Sequence, residues 1–203
     1  LFDSVTMVSI RPGPPHSTGS AEFKKDNDEV LNYSLHATRA NENLVSFWAD
    51  GTATSTPTGH WNAIAADEFV KQNYSEVRWA RNFALLNMAQ MDAAIVCWDT
   101  KYFYFNPRPT QINSKIKTLT GIPNFPSYTS GHSNFSSSAA VVLTYLLPDR
   151  CTKFTDMAQQ ASLSRLVGGI HTREDIDVGQ VTGRKVGQYA VVRGQADGAG
   201  IGN

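Results

Sequence analysis

The sequence predicts an all-α fold, a single-domain helical bundle. Three observations predict it: apolar residues recur at helical spacing over long stretches, Gly and Pro cluster between these stretches, and no segment alternates like a strand. The chain has 203 residues, which suits one domain, and neither a repeat nor a linker divides it. We assign residues 1–25 to an extended N-terminal arm, because Arg11-Pro-Gly-Pro-Pro15 opposes helix formation, and residues 26–203 to the helical domain.

The predicted elements follow one another along the chain. We predict helical structure over residues 26–50, 60–71, 75–105, 133–147, 153–166 and 173–192. The longest of these segments contains neither Gly nor Pro, starts at the capping residue Ser75, and is followed by Pro107 and Pro109. The last segment carries Val181 and Val186 among its apolar positions. The connecting segments, 51–59 above all, are rich in Gly, Pro, Thr and Ser and are predicted as loops.

Composition excludes some classes of partner. Lys and Arg together number 18, as do Asp and Glu, so the formal net charge is zero and neither nucleic acid nor an anionic membrane is indicated. No apolar run approaches the ~20 residues of a bilayer span. The sequence starts at Leu1 without a charged-then-apolar leader, which either a processed secreted or periplasmic form or an incomplete chain would explain, and we favour the former. The expected partner is a small-molecule substrate, and a homo-oligomer is compatible with the sequence.

The first cluster of candidate site residues lies at the predicted end of the longest helix. Lys101 and Arg108 are seven residues apart, about two helical turns, so both side chains can point the same way. A guanidinium can bind two oxygens of an anion, while an ammonium supplies a compact charge. The alternative is that both cations oppose the helix dipole and reach solvent.

The second cluster, Ser130-Gly131-His132, precedes a predicted helix. Amides at a helix N-terminus bind anions, Gly131 lets the backbone come close, and the Ser130 hydroxyl can donate a hydrogen bond. His132 can exchange a proton near neutral pH. The alternative is a capped helix start with an incidental histidine.

The third cluster contains Arg165, His171 and Asp175. Asp175 follows His171 by four residues, one helical turn, so its carboxylate can hold one ring nitrogen and leave the other free. Arg165 can supply a second guanidinium to the same anion. The alternative is a surface ion pair on a helix.

In order, the clusters read Lys-x6-Arg-Pro, Ser-Gly-His and Ser-Arg-x5-His-x3-Asp. This ordered triple resembles the signature of the superfamily that unites type 2 phosphatidic-acid phosphatases, bacterial acid phosphatases and vanadium-dependent haloperoxidases. The resemblance extends from about residue 51 to residue 192. It implies an α-helical bundle, in agreement with the periodicity, and makes residues 26–203 a catalytic domain.

The resemblance also implies roles for the three clusters. It assigns the binding of a tetrahedral oxyanion to Lys101, Arg108, Arg165, Ser130 and Gly131. His171 becomes either a nucleophile that is phosphorylated or the ligand of bound vanadate. His132 becomes an acid–base group on the leaving group or on peroxide, and Asp175 orients His171. A phosphoryl transition state and bound vanadate have similar shape and charge, so one preorganised site serves both.

Two aromatic residues favour the soluble haloperoxidase-like branch of that superfamily. Trp98 and Phe125 match aromatic positions beside the vanadate of chloroperoxidases, where an apolar wall shelters a halide; the alternative for Trp98 is a core residue. Pro107 and Thr129 depart from the branch's pattern. We therefore predict a vanadium-dependent haloperoxidase-like enzyme, with vanadate on His171 and halide oxidised by peroxide. The alternative is an acid phosphatase-like hydrolase of phosphate esters that uses a phosphohistidine at His171 and requires no cofactor.

The remaining histidines carry less information. His60 opens a predicted helix and is interpreted as a structural hydrogen-bonding residue. His16 and His36 belong to no pattern, and no His or Cys spacing is typical of a zinc site, so the sequence predicts none.

Overall fold

The computed structural model describes residues 1–199, and within that range it contains nine α-helices and no β-strand. The helices are α1 Ser4–Ile10, α2 Ala21–Leu35, α3 Arg39–Phe47, α4 Thr56–Phe69, α5 Glu76–Tyr104, α6 Pro109–Ile112, α7 Gly131–Leu146, α8 Cys151–Val167 and α9 Arg173–Ala196. A 3₁₀ turn, Pro148–Arg150, joins α7 to α8. The predicted all-α fold is confirmed. Among the described residues, no helix combines the length and the apolarity that crossing a bilayer requires.

The N-terminal segment is more helical than its composition indicates. Ser4–Ile10 forms a helix inside the segment predicted to be extended, because the Asp3 carboxylate caps it by accepting a hydrogen bond from the Thr6 N–H at 2.8 Å. The next helix begins at Ala21, five residues before the predicted domain boundary at Asp26, since Ser20 caps it. Residues 200–203 of the predicted domain lie outside the described range.

Capping and backbone conformation set the ends of the central helices. The Ser75 hydroxyl accepts from the Arg78 N–H at 3.3 Å and starts α5 as predicted. The helix ends at Phe105, whose φ of 51° is left-handed, before either proline is reached. Pro109 then occupies the first turn of α6, so it starts a helix instead of ending one. Arg108, the residue that caps α6 at its N-terminus, therefore has an extended conformation and lies just after the end of α5.

Helix α7 lies at the centre of the bundle and packs against α9, α8 and α5. Its closest approach is to α9, where glycines face it. A Cβ added to Gly183 would lie 2.4 Å from the Asn134 carbonyl oxygen, and one added to Gly179 would lie 2.9 Å from the Ser133 Cβ. Val181, predicted among the apolar positions of this helix, is instead 44% exposed. The two helices therefore touch backbone to backbone, which brings their N-termini together.

Apolar and polar buried residues occupy different parts of the bundle. The largest apolar cluster includes Trp48, Trp61, Phe69, Leu86, Leu143 and Phe154. Buried polar side chains gather instead at the N-terminus of α7 and in the segment before it: Ser127, Thr129, Ser130, Ser133 and Asn134. Burying a polar group costs free energy unless hydrogen bonds satisfy it. The concentration of buried polar side chains therefore marks this end of α7 as the place where a functional site is expected.

Candidate active site

The three predicted clusters converge on the N-terminus of α7. Lys101 comes from the last turn of α5, Arg108 from the start of α6, and Arg165 from the last turn of α8. His171 lies in the short connection between α8 and α9, where Gly169 adopts a φ of 79° that favours glycine. The Ser130 N–H donates to the backbone oxygen of Asp175 at 2.9 Å and ties the second cluster to the third.

Lys101 is fully buried, which excludes the alternative that it reaches solvent. Its ammonium donates to the backbone oxygens of Pro126 and Ser127, each at 2.8 Å, and so retains one N–H for a further acceptor. Burial lowers its pKa to about 8. An ammonium held in this environment has a strong preference for a nearby anion, because its charge has lost most of its hydration.

Arg108 is also buried, with 3% of its surface exposed, and it connects two loops to His171. Its Nε donates to the Phe125 oxygen at 3.0 Å and its Nη1 to the Ile170 oxygen at 2.8 Å. Nη1 also lies 3.0 Å from the His171 Nε2. The Nη2 group is buried without a hydrogen-bond partner. Burial lowers the pKa of this guanidinium to about 10, so it is charged at neutral pH.

His171 and Asp175 form a buried pair, not the surface ion pair that was the alternative. The His171 Nδ1 lies 3.0 Å from the Asp175 Oδ2. Because the Arg108 Nη1 can only donate, the His171 Nε2 accepts, and the ring proton resides on Nδ1 and points to Asp175. Burial and the charge of Arg108 lower the pKa of His171 to about 3. The imidazole is therefore neutral, with its Nε2 lone pair directed toward the cations.

Asp175 is held by groups that the three motifs do not include. Its Oδ2 accepts from the Ser127 hydroxyl at 2.5 Å and from the Thr172 N–H at 3.0 Å, so the residue orients His171 and caps α9 at once. Although burial raises the pKa of Asp175, the hydrogen bonds from His171 and Ser127 outweigh it and keep the pKa below its ordinary value. Ser127 is not among the residues predicted from the sequence, although it precedes Ser130 by only three residues.

The second cluster forms the first turn of α7, which begins two residues earlier than predicted. The Ser130 hydroxyl caps this helix by accepting from the Ser133 N–H at 3.3 Å. The capped-helix alternative is thus correct as local structure, but the cap is fully buried and is bonded to Asp175 of the third cluster. The amides of Gly131 and His132 belong to the turn that helix geometry leaves without intrahelical acceptors. This turn can therefore donate to an anion.

His132 lies between the cations and an acidic residue from the other side of the site. Its Nε2 has no hydrogen-bond partner and lies 3.8 Å from the Asp50 Oδ2. Burial, with the charge of Arg165, lowers the pKa of His132 well below its ordinary value. The ring is therefore neutral and can accept a proton from a bound reactant.

Asp50 links three basic groups and was not predicted from the sequence. Its carboxylate lies 3.0 Å from the His60 Nδ1 and 3.8 Å from the His132 Nε2, and its charge raises the pKa of Arg165. Burial still dominates for Arg165 and lowers its pKa to about 10. The backbone of Asp50 has a φ of 45°, a conformation that non-glycine residues rarely adopt and that is frequent at functional sites. Asp50 precedes His132 by 82 residues, so no local pattern indicates it.

Trp98 and Phe125 lie side by side against the cationic cluster. Their ring centroids are 5.1 Å apart, and the Phe125 centroid lies 5.2 Å from both the Lys101 Nζ and the Arg108 Cζ, within reach of cation–π attraction. A Cβ added to Gly131 would lie 3.6 Å from the Trp98 ring. The two aromatic side chains thus form an apolar wall beside the candidate anion site.

The chemistry of the cluster fits a tetrahedral oxyanion. Lys101, Arg108 and Arg165 are each at most 3% exposed, and in the described part of the chain none forms an ion pair within 4.0 Å. The nearby carboxylates of Asp175 and Asp50 are fewer than these cations. Since buried charges are normally paired, three unpaired cations and the unpartnered Arg108 Nη2 indicate an anionic ligand. Phosphate and vanadate both meet this requirement.

The cluster is closed by its own hydrogen bonds. Arg108 donates directly to His171, so an anion has to compete with that bond to reach the Nε2. Two surface cavities of about 360 and 450 Å³ lie elsewhere, on the side of α8 and α9 where both are lined by Gln159 and Gln180, and neither is lined by a candidate site residue.

Comparison with known families agrees with this arrangement of residues. The profile of the PAP2 superfamily matches residues 82–195, a range that contains all eight residues of the three clusters. The chain belongs to the PAP2 superfamily. The resemblance predicted from the ordered motifs is therefore confirmed.

Individual relatives come from both sides of this superfamily. A crystal structure of a bacterial vanadium-dependent iodoperoxidase is similar over 92% of this chain, with a TM-score of 0.81 and 30% identity. A bacterial vanadium-dependent chloroperoxidase is similar over 93% of the chain with a TM-score of 0.77, and at 15% identity this shows the fold alone. An acid phosphatase of Zymomonas mobilis subsp. mobilis is 32% identical over 81 residues. The chain spans about half the length of the two peroxidases, 54% and 52%, and 30% of the phosphatase.

Proposed function

We propose that this PAP2-superfamily chain is a vanadate-dependent haloperoxidase that oxidises halide with hydrogen peroxide. The observation that carries the proposal is that two buried, unpaired cations, Lys101 and Arg108, lie beside the neutral Nε2 of His171, while a third, Arg165, acts on the neighbouring His132. A ligating imidazole has to be neutral, with its other nitrogen held by a carboxylate, and His171 meets both conditions through Asp175. Similarity to the iodoperoxidase, at 30% identity over nearly the whole chain, supports the peroxidase reaction.

The residues that would hold vanadate are Lys101, Arg108, Arg165, the Ser130 hydroxyl, the Gly131 amide and the His171 Nε2. Vanadate bound there would supply a Lewis-acid centre that activates peroxide for attack by halide. The Asp175 carboxylate keeps the proton of His171 on Nδ1, and the three cations offset the negative charge of the bound oxyanion. Hydrogen bonds to backbone oxygens hold the three cations in place, and the anion would replace the bond from Arg108 to the His171 Nε2.

His132 is the residue that we propose moves the protons. The overall reaction converts hydrogen peroxide, halide and one proton into hypohalous acid and water. The neutral Nε2 of His132, which has no hydrogen-bond partner, can accept a proton from incoming peroxide and return it to the departing water. The carboxylate of Asp50, 3.8 Å away, stabilises the imidazolium formed in between.

Trp98 and Phe125 are proposed to shelter the halide. Their contact at 5.1 Å makes one continuous apolar surface beside the cations, and water is excluded wherever the rings cover it. A halide that has lost part of its hydration is a stronger nucleophile, so such a wall favours its oxidation.

The experiment is a halide oxidation assay on the purified chain. Protein saturated with vanadate, as verified by calorimetric titration, is mixed with hydrogen peroxide and iodide, bromide or chloride, and formation of triiodide or of a halogenated dye is followed. We expect turnover with at least one halide and its loss in His171→Ala. His36→Ala, an exposed histidine outside the site, is the matched control and should retain turnover. No turnover with any of the three halides by the vanadate-loaded protein would refute the proposal.

Hydrolysis of phosphate esters is the second candidate, favoured by the 32% identity to an acid phosphatase. The His171 Nε2 would attack phosphorus, the ester P–O bond would break, and His132, after taking up a proton from solvent, would pass it to the leaving alkoxide. Water would then cleave the phosphohistidine and release inorganic phosphate. Turnover of an aryl phosphate that survives a chelator, is inhibited by vanadate and disappears in His171→Ala would identify this reaction, whereas hydrolysis unchanged in that variant would exclude it.

A further inference from the structure

The N-terminal arm is fastened to the bundle close to the candidate active site. The Arg11 guanidinium pairs with Asp99 on α5 at 2.6 and 2.9 Å. The hydroxyls of Tyr104 and Tyr128 donate to the backbone oxygens of Pro12 and Gly13, each at 2.8 Å. These bonds fix the path of the backbone through Gly13. His16, three residues further on, therefore has a defined position over α2 and α9.

His16 meets two carboxylates from different helices at that position. Its Nδ1 lies 3.2 Å from the Asp26 Oδ2 of α2 and 3.3 Å from the Glu174 Oε2 of α9. All three atoms lie within 4.8 Å of one another. Asp26 is buried, whereas the His16 side chain is 39% exposed, so the cluster has a protein floor and an opening to solvent. A His and two carboxylates from three separate elements form the usual donor set of a metal site.

Two of the three separations between donor atoms are close to those around a tetrahedral zinc ion and longer than those of a strong ion pair. With zinc–nitrogen and zinc–oxygen bonds of about 2.0–2.2 Å, the edges of the tetrahedron are about 3.3–3.5 Å long. The distances from the His16 Nδ1 to the Asp26 Oδ2 and to the Glu174 Oε2, 3.2 and 3.3 Å, are close to that edge. Charge-assisted hydrogen bonds between a cationic nitrogen and a carboxylate are shorter, about 2.7–2.9 Å. A small rearrangement of side chains would therefore suffice for an ion to bind.

The surrounding charge also favours a cation. Arg173, the neighbour of Glu174 in sequence, is engaged by Glu29 at 2.6 Å. His16 is the basic side chain in contact with Asp26 and Glu174, and an imidazole carries at most one charge against two carboxylates. A divalent ion would neutralise both.

We propose that His16, Asp26 and Glu174 bind a divalent metal ion of the zinc class, with water from the open side completing the tetrahedron. The ion would join the arm to the N-terminal halves of α2 and α9. Because Glu174 is the neighbour of Asp175 in the first turn of α9, the ion would also stabilise the helix start on which the orientation of His171 depends. This site is separate from the oxyanion cradle, and it applies to either of the reactions proposed above.

The test is a calorimetric titration of the full chain with Zn²⁺ after treatment with EDTA and dialysis. We expect one zinc per chain, and at least tenfold weaker binding in His16→Ala and in Asp26→Asn. His36→Ala serves as the control, since His36 contacts only the Asn32 backbone oxygen, and should bind like the unmodified chain. Zinc should also raise the melting temperature of the unmodified chain and leave that of His16→Ala unchanged.

Two results would overturn the proposal. One is the absence of a binding isotherm at millimolar zinc. The other is zinc bound with unchanged affinity in both folded variants, which would place the ion elsewhere. Having two variants guards against misfolding, because His16 lies on the arm outside the core whereas Asp26 lies on a helix. Circular dichroism melts of each variant establish that it is folded.

Discussion

The buried Lys101 makes the affinity for oxyanions depend on pH in a way that can be calculated. Its pKa in the free protein is about 8, and a bound anion raises that pKa because it stabilises the ammonium. Binding therefore requires proton uptake once the pH exceeds 8, and the affinity falls as the pH rises through that value. Between about pH 7 and about pH 9.5 the protonated fraction drops from about nine-tenths to about 3%, which weakens binding by about 30-fold, or about 2 kcal/mol.

Sulfate is the suitable ligand, because its charge stays constant over this range whereas phosphate and vanadate change theirs. Its dissociation constant is measured by isothermal titration calorimetry at several pH values in buffers of matched ionic strength. Lys101→Met keeps a side chain of similar length without a charge, so we expect weak binding that is independent of pH. Lys115→Met, at an exposed position, should keep the full dependence. A sulfate affinity that is constant in the unmodified chain, or that falls equally in Lys101→Met, would show that Lys101 does not serve the site.

Two further substitutions test how the site is built. Asp175→Asn removes the charge that accepts three hydrogen bonds, so we expect the free energy of unfolding in urea to fall by about 2–4 kcal/mol. Because His171 also loses its orienting partner, we expect about 10- to 100-fold weaker oxyanion binding or activity. Unchanged sulfate affinity would contradict this role of Asp175. Gly183→Ala introduces a Cβ 2.4 Å from the Asn134 backbone oxygen and should destabilise the chain by about 1–3 kcal/mol, seen as a lower melting temperature. Gly51→Ala, whose added Cβ meets nothing within 4 Å, is the control, and equal melting temperatures for the two variants would show that α7 and α9 can separate without loss.

Much of the helical fold could be predicted from the sequence, because apolar spacing and capping are local. The long helix was placed to within a residue at each end, with the correct cap at Ser75. The packing of the last helix could not be predicted in the same way. Apolar periodicity counts side chains, and it indicated Val181, which is exposed. The surface of α9 that contacts α7 is formed by Gly179 and Gly183. Because these residues have no side chain, the two helix backbones can approach each other closely.

The arm and the metal-site proposal illustrate the same limit. The sequence gives no zinc pattern, because His16, Asp26 and Glu174 are far apart along the chain and each is ordinary in its own segment. Only the course of the arm over α2 and α9 brings their donor atoms within 4.8 Å. Ligand spacing is a useful signal when one short element supplies several ligands, and it disappears when three elements supply one each.

For the proposed oxyanion site, the sequence by itself identified the residues that we assign to it. The order and spacing of the three motifs were enough to select Lys101, Arg108 and His171 and to indicate the superfamily, which the family comparison confirmed. What only the tertiary structure decided is the state of those groups. A lysine or an arginine near the end of a helix is usually solvated. Chain segments remote in sequence decide whether it is buried instead and whether a carboxylate faces it. The contacts to Asp50 and Ser127 arise in that way, and with them the unpaired positive charge on which the proposal of an oxyanion site rests.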